Sequence, residues 1–268
     1  MCDNIKIGGI MKIISIVNPK GGAGKTISAV NISYGLANRG KKVLLIDADA
    51  RGAVSVYLGL ENENTLFQLI KEQYMNLNVN DFDKYITNKN GVDIIISDTE
   101  LNKIDNYFII ENQDPQSQFD SITNLIYLFK NYDYIIFDTE GTVNNLTRAI
   151  LKATDYIFSP SKNSAIDVNG IADLLNMYDV AKRSNKKLQV KKIFLVQTKQ
   201  NTKIFKETKQ ELRKYFNNNE FSEISIREDQ NVLNSMKEKK DIFSFKRTSN
   251  AAIDYKNLVD EFLQEEEE

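Results

Sequence analysis

The stretch VNPKGGAGKT, residues 17–26, sets four small residues, Gly21, Gly22, Ala23 and Gly24, between two lysines, Lys20 and Lys25. The β-rich run KIISIV (12–17) enters it, and ISAVNISYGLANRG (27–40) leaves it with helical spacing and a Gly stop. Strand, glycine-rich loop and helix in that order are the context a phosphate-binding loop requires. Small residues let the backbone curl so that successive N–H groups face phosphate oxygens, and the helix N-terminus adds partial positive charge. Lys25 is placed to reach β- and γ-phosphates, and the Thr26 hydroxyl to ligate Mg2+. One lysine is enough for that task, so Lys20 needs a different explanation.

Further apolar runs of strand length follow at 42–47, 92–97, 132–138, 155–160, 191–198 and 222–226. Helix-like stretches at 117–131, 142–153, 165–184 and 201–216 alternate with them. The alternation predicts an α/β fold, a mostly parallel twisted sheet with helices on both faces. With three prolines and no Pro/Gly/Ser-rich joint, the chain reads as an extension at 1–10, a single phosphate-loop domain at 11–264 and an acidic tail at 265–268.

Composition narrows the chemistry. Histidine is absent and Cys2 is the single cysteine, which removes His-based triads, His metal ligands and thiolate-held clusters. No apolar run reaches the ~20 residues of a membrane helix, so a cytoplasmic protein is expected. The net charge of −2 conceals a split. Residues 61–140 hold fifteen acids against five bases, whereas 182–214 hold twelve bases against two acids. Solvated helix faces account for most such runs; an anion-binding surface is the sharper reading.

A phosphate loop needs acidic partners. VLLIDADA offers Asp47 and Asp49, and YIIFDTEG offers Asp138, each near the C-terminal end of a strand and so on the loop's side of a parallel sheet. Asp138 fits the metal-side carboxylate of a Walker B strand. The segment LNKID (101–105) contains Asn-Lys-x-Asp, the guanine-reading element of GTPases, but it precedes Asp138 rather than following it.

KGGAGKT (20–26) resembles the deviant Walker A motif of the ParA/MinD class of ATPases, in which an extra lysine stands ahead of the glycines. VLLIDADARGAVSVYLG (43–59), VDIIISDTEL (92–101), YDYIIFDTEG (132–141) and ISIREDQNVLNSMKEKKDI (224–242) are similar to later ParA motifs in order and spacing, so the resemblance runs from about Met11 to Leu263. It implies a ParA-type partition ATPase using ATP and Mg2+. ATP would close a sandwich homodimer, in which Lys20 reaches the partner subunit's phosphates in trans while Lys25 serves its own. Gly21 to Ile27 and Arg227 would contact nucleotide, Thr26 and Asp138 would hold Mg2+, and Asp49 would orient the attacking water.

The resemblance also implies sequence-independent DNA binding, nucleoid association in the ATP state, and release through hydrolysis stimulated by a ParB-like adaptor. A MinD-like or other cargo-positioning ATPase is the alternative. Its membrane form needs a basic amphipathic C-terminal helix; this chain ends QEEEE. Two departures stand out: Glu140-Gly141 replaces the usual prolines after the Walker B Asp-Thr, and Ile27 replaces a second threonine. Within the basic block, Lys199, Lys203, Lys206, Lys209 and Arg213 recur at three- and four-residue steps and form the expected DNA-facing stripe; 237–247 is the second candidate.

Overall fold

All but one of the expected apolar runs form strands: β1 (Lys12–Ile16), β2 (Val43–Ala48), β4 (Val92–Ile95), β5 (Tyr134–Thr139), β6 (Tyr156–Lys162) and β7 (Gln189–Val196). The computed structural model describes residues 11–74, 82–104, 106, 122–126, 128–142, 144–163, 165–217 and 219–268. The expected extension at 1–10, Asp105 of the Asn-Lys-x-Asp segment and the start of the expected 117–131 helix lie outside the described residues. A further strand, β3 (Thr87–Lys89), pairs antiparallel with β4. Asn90 and Gly91 join them, both at positive φ (50° and 85°), as a two-residue hairpin turn demands. The sheet order is β3-β4-β2-β5-β1-β6-β7, with every pairing except β3–β4 parallel.

The run at 222–226 is a correction to the sequence reading. Residues 220–227 follow the outer edge of β7 through isolated bridges at Phe221 and Arg227 rather than a ladder. The cause is local. The Ser222 hydroxyl accepts the Ile224 N–H at 3.0 Å, a side-chain bond that diverts the backbone from its neighbour.

Helices α1 (Lys25–Ala37), α2 (Ala53–Leu58), α3 (Leu66–Tyr74), α4 (Asn145–Ala153), α5 (Ala165–Ser184), α6 (Lys203–Tyr215), α7 (Gln230–Lys237), α8 (Ile242–Lys246) and α9 (Asn250–Glu267) pack on the sheet. Alternate strand residues serve opposite faces. Ile14, Ile16, Leu45 and Ile136 meet α1 and the Tyr255, Leu258 and Phe262 side chains of α9. Ile13, Leu44, Ile46, Ile135 and Phe137 meet Leu69, Ile70, Leu146 and Ile150. A third group joins Ile157, Ile193 and Leu195 to Leu174, Phe205 and Leu212. Both faces are therefore covered, which is why β2 and β5 are buried along their whole length and open on four consecutive apolar residues before their aspartates.

The acidic end of the chain is docked. Glu265 and Glu266, expected at the start of a tail, lie in the last turns of α9 and pair with Lys191 and Lys192 of β7. Lys192 is fully buried; its ammonium also meets Glu261 at 2.6 Å. Glu261 in turn accepts the Ser222 hydroxyl at 3.1 Å.

Candidate functional site

The phosphate loop lies at the C-terminal end of β1, beside the central strand β5, with Ile16 of β1 and Asp47 of β2 both in register with Asp138. The strand order reverses around β1, so the crevice at its end is the natural ligand site of an open α/β sheet. Gly24 caps α1 with φ 88°, a left-handed conformation that glycine adopts without a side-chain penalty. The loop is pinned by Asn18, whose amide donates to the Pro160 carbonyl at 2.8 Å and whose Oδ1 accepts the Lys20 N–H at 2.9 Å.

The two lysines occupy different places. Lys25 is buried, and its ammonium donates to the Asn18 carbonyl at 3.0 Å and the Lys20 carbonyl at 2.9 Å. Burial lowers its pKa below the ordinary lysine value, opposed by the nearby Asp138 carboxylate. Lys20 instead runs over α5: a Cβ on Gly170 would come within 2.7 Å of its Cε and 2.9 Å of its Cδ. The chain after β5 touches the loop at Gly141, where a Cβ would sit 3.3 Å from the Lys25 ammonium. The Glu140-Gly141 departure thus places a residue without a side chain against the loop.

Asp138 is fully buried, and neither of its oxygens has a hydrogen bond of normal geometry. Burial pushes its pKa up to about 7, with the adjacent Thr26 hydroxyl drawing it down. An orphaned carboxylate beside a threonine hydroxyl and a buried ammonium is a donor set that fits Mg2+ on a nucleotide. Asp47 has a structural role. It accepts the Asp49 and Val54 N–H groups, both at 3.0 Å, and so fixes the turn that carries Asp49. Asp49 is itself buried and is gripped by Arg51, a residue that the motif reading passed over. Burial alone would raise the Asp49 carboxyl; the hydrogen bonds from Arg51 outweigh it and hold the value below the usual range. A second unforeseen cation is Lys162 at the end of β6, whose ammonium would lie 3.8 Å from a Cβ on Gly22.

A cleft of about 760 Å³ opens beside the loop, lined by Gly24, Ile27, Thr198, Arg227, Asp229 and Tyr255 among others. Arg227 and Ile27, both expected to contact nucleotide, line this one cleft. The Arg227 guanidinium is held by Asp254 through Nη2 at 2.8 Å and Nε at 2.9 Å. Asn102 lines a separate, smaller cavity with Ala48, Ala50 and Glu140, away from that cleft, and Lys103 pairs with Glu100.

The basic stripe on α6 is partly neutralised. Lys203 pairs with Glu207, Lys209 and Arg213 both reach Glu223, and Lys199 reaches Glu228. Lys206 is exposed and makes no ion pair among the described residues. Glu223 and Glu228 lie on the strip beside β7, so their contact with the stripe arises from the fold and not from helical spacing.

Residues 11–190 match the family described as AAA domain. The sporulation initiation inhibitor protein Soj of Bacillus subtilis is 31% identical over 210 residues, which is 76% of this chain and 80% of Soj. The chromosome partitioning protein ParA of Caulobacter vibrioides is 26% identical over 212 residues, 77% of each chain. An uncharacterized protein of Mycobacterium tuberculosis is 28% identical over 193 residues, 70% of this chain, which spans only 58% of that relative's length. Among solved structures, an ATP complex of Cyanothece McdA superposes with a TM-score of 0.79 at 19% identity, covering 96% of this chain and 98% of McdA. A plasmid partition protein from Borrelia burgdorferi superposes with a TM-score of 0.66 at 24% identity, covering 88% of this chain and 97% of that one. At those identities the two structures speak for the fold alone.

Proposed function

The chain belongs to the ParA-type family of P-loop ATPases, and from that premise we propose that it is a DNA-partition ATPase whose ATP-bound homodimer binds DNA without sequence preference. The observation that supports this best is the separation of the two lysines. Lys25 is buried inside its own loop, whereas the Lys20 side chain packs over Gly170 of α5. A cation held outside its own phosphate site is available to a second subunit, as an arginine finger is.

In this reading Lys25 and the N–H groups of Gly21 to Thr26 hold the phosphates. Thr26 and Asp138 would hold Mg2+, which on binding neutralises charge on the β- and γ-phosphate oxygens. Asp49 orients the attacking water, and Lys20 completes the partner's site only in the dimer. The base occupies the cleft at Arg227 and Ile27. Hydrolysis, slow in the isolated protein, is stimulated by a ParB-like adaptor and releases the protein from DNA. The protein is then cytoplasmic and nucleoid-associated while ATP-bound. No helix among the described residues is long and apolar enough to cross a membrane.

The test is DNA binding on two unrelated duplexes with no nucleotide, with ADP and with ATP–Mg2+. Binding confined to ATP–Mg2+ and equal on both duplexes is expected. Equal binding in all three states, or none in any, would refute the proposal.

A further inference from the structure

Arg51 grips both oxygens of one carboxylate, that of Asp49. Its backbone N–H reaches Asp49 Oδ1 at 3.0 Å; its Nε reaches Oδ1 at 3.0 Å and Oδ2 at 3.1 Å; its Nη2 reaches Oδ2 at 2.5 Å. An ionised carboxylate offers about four lone-pair sites; three N–H groups of Arg51 engage both oxygens, the single Nε proton being shared between them. Asp49 is 2% exposed and Arg51 67%, so the guanidinium covers the carboxylate from the solvent side.

The backbone beneath is fixed while the arm above it is not. Asp47 ties down the Asp49 and Val54 N–H groups. Gly52 is held at φ 62°, with the Ser97 carbonyl 3.0 Å from where its Cβ would be. The exposed arginine can swing away without disturbing this turn. Asp138 and Glu140 also lie within electrostatic reach of Arg51, and Asp138 is in turn within reach of the phosphate-loop lysine Lys25. A guanidinium forks phosphate at least as well as carboxylate. An entering phosphate therefore competes for it directly.

We infer that Arg51 is a positioning residue that keeps Asp49 capped in the nucleotide-free chain and releases it when the terminal phosphate of a nucleotide takes over the guanidinium. The inference rests on the reading of Asp49 as the water-orienting group. Uncapping then precedes hydrolysis, and any turnover without the adaptor is limited by the fraction of time the fork is open. The exchange affects when a water can be ordered. It leaves the contacts of the phosphates with the loop and Lys25 as they are.

The experiment is steady-state ATP hydrolysis, without adaptor, by the parent protein and by Arg51→Gln, Arg51→Lys, Asp49→Ala and the Arg51→Gln/Asp49→Ala double variant. Arg51→Gln is expected to raise kcat about tenfold, equivalent to ~1.4 kcal/mol of barrier, with KM within about twofold. Arg51→Lys should fall between, because an ammonium cannot fork both oxygens. The gain must vanish in the double variant. Thermal melting of each variant checks folding, and the exposure of Arg51 predicts little change. An unchanged or lower kcat for Arg51→Gln overturns the inference, as does a gain that survives in the double variant; in either case an inactive Asp49→Ala leaves the reading of Asp49 standing. Parental turnover by Asp49→Ala alone would remove that reading, and the inference with it.

Discussion

Lys192 offers a quantitative test of how α9 is held. Its ammonium is fully buried between Glu261, at 2.6 Å, and Glu265, whose side chains keep 24% and 23% of their exposure. The two halves of this cluster are therefore not equivalent. Neutralising the acids with Glu261→Gln/Glu265→Gln strands a charge that has no access to water. Breaking a buried pair in this way costs about 3–5 kcal/mol. Replacing the base with Lys192→Met keeps the stem volume in a flexible apolar side chain, and the two carboxylates can turn toward solvent. We expect that change to cost under ~1.5 kcal/mol. Urea unfolding at neutral pH measures both, and in thermal melts the double variant should lose roughly 10 °C on the usual scaling for a chain of this size. Equal losses for the two variants, or a larger loss for Lys192→Met, would refute the argument that burial of the ammonium dominates.

Lys25→Gln should abolish nucleotide binding in equilibrium titration, since the loop loses its buried cation. Gly170→Ala should raise stability by about 0.5–1 kcal/mol through helix propensity, because the three nearest atoms all belong to the flexible Lys20 side chain; displacement of that lysine should show as altered ATP-dependent dimerisation in sedimentation. The raised Asp138 pKa means that the native chain keeps a proton the unfolded chain releases above about pH 4, so nucleotide-free stability should fall as pH rises from about 4 toward 7. Asp138→Asn should flatten that fall and melt higher than the parent at pH 8, read by calorimetry. In salt titrations of the ATP-bound dimer on DNA, Lys206→Glu should reduce the log–log slope by about 1.8, two contacts at ~0.9 each, and Glu223→Gln, which frees Lys209 and Arg213, should strengthen binding.

The phosphate loop was legible because all its determinants are local: small residues, a strand before and a helix after. Asp138 was legible as a candidate because an acid near the C-terminal end of a parallel strand lies at the edge of the sheet where the loop sits. What escaped depends on contacts distant in sequence or on single turns. The stripe on α6 looked free because helical spacing cannot reveal Glu223, which arrives from the strip beside β7. The β3–β4 hairpin was missed although Asn90-Gly91 is its signal, since three polar residues carry no apolar alternation. Residues 222–226 alternate correctly but are diverted by one serine hydroxyl. Arg51 lies inside the motif VLLIDADARGAVSVYLG, but its grip on Asp49 depends on a single tight turn that residue spacing does not reveal.

The strip at 220–227 closes the last edge of the sheet with main-chain bonds to Ile193, Leu195 and Thr198. An edge closed by isolated bridges rather than a ladder is a site where another chain could add a strand if the strip peeled away. That same strip delivers Arg227 into the wide cleft. Peeling would unseal the sheet and dismantle one wall of the cleft in a single motion. A ligand seated there binds the sealed form alone and so favours it by mass action. Occupancy of the cleft should therefore act as a guard against self-association: the ligand-free protein should be the form prone to clump on storage, and a ligand that fills the cleft should keep it in solution.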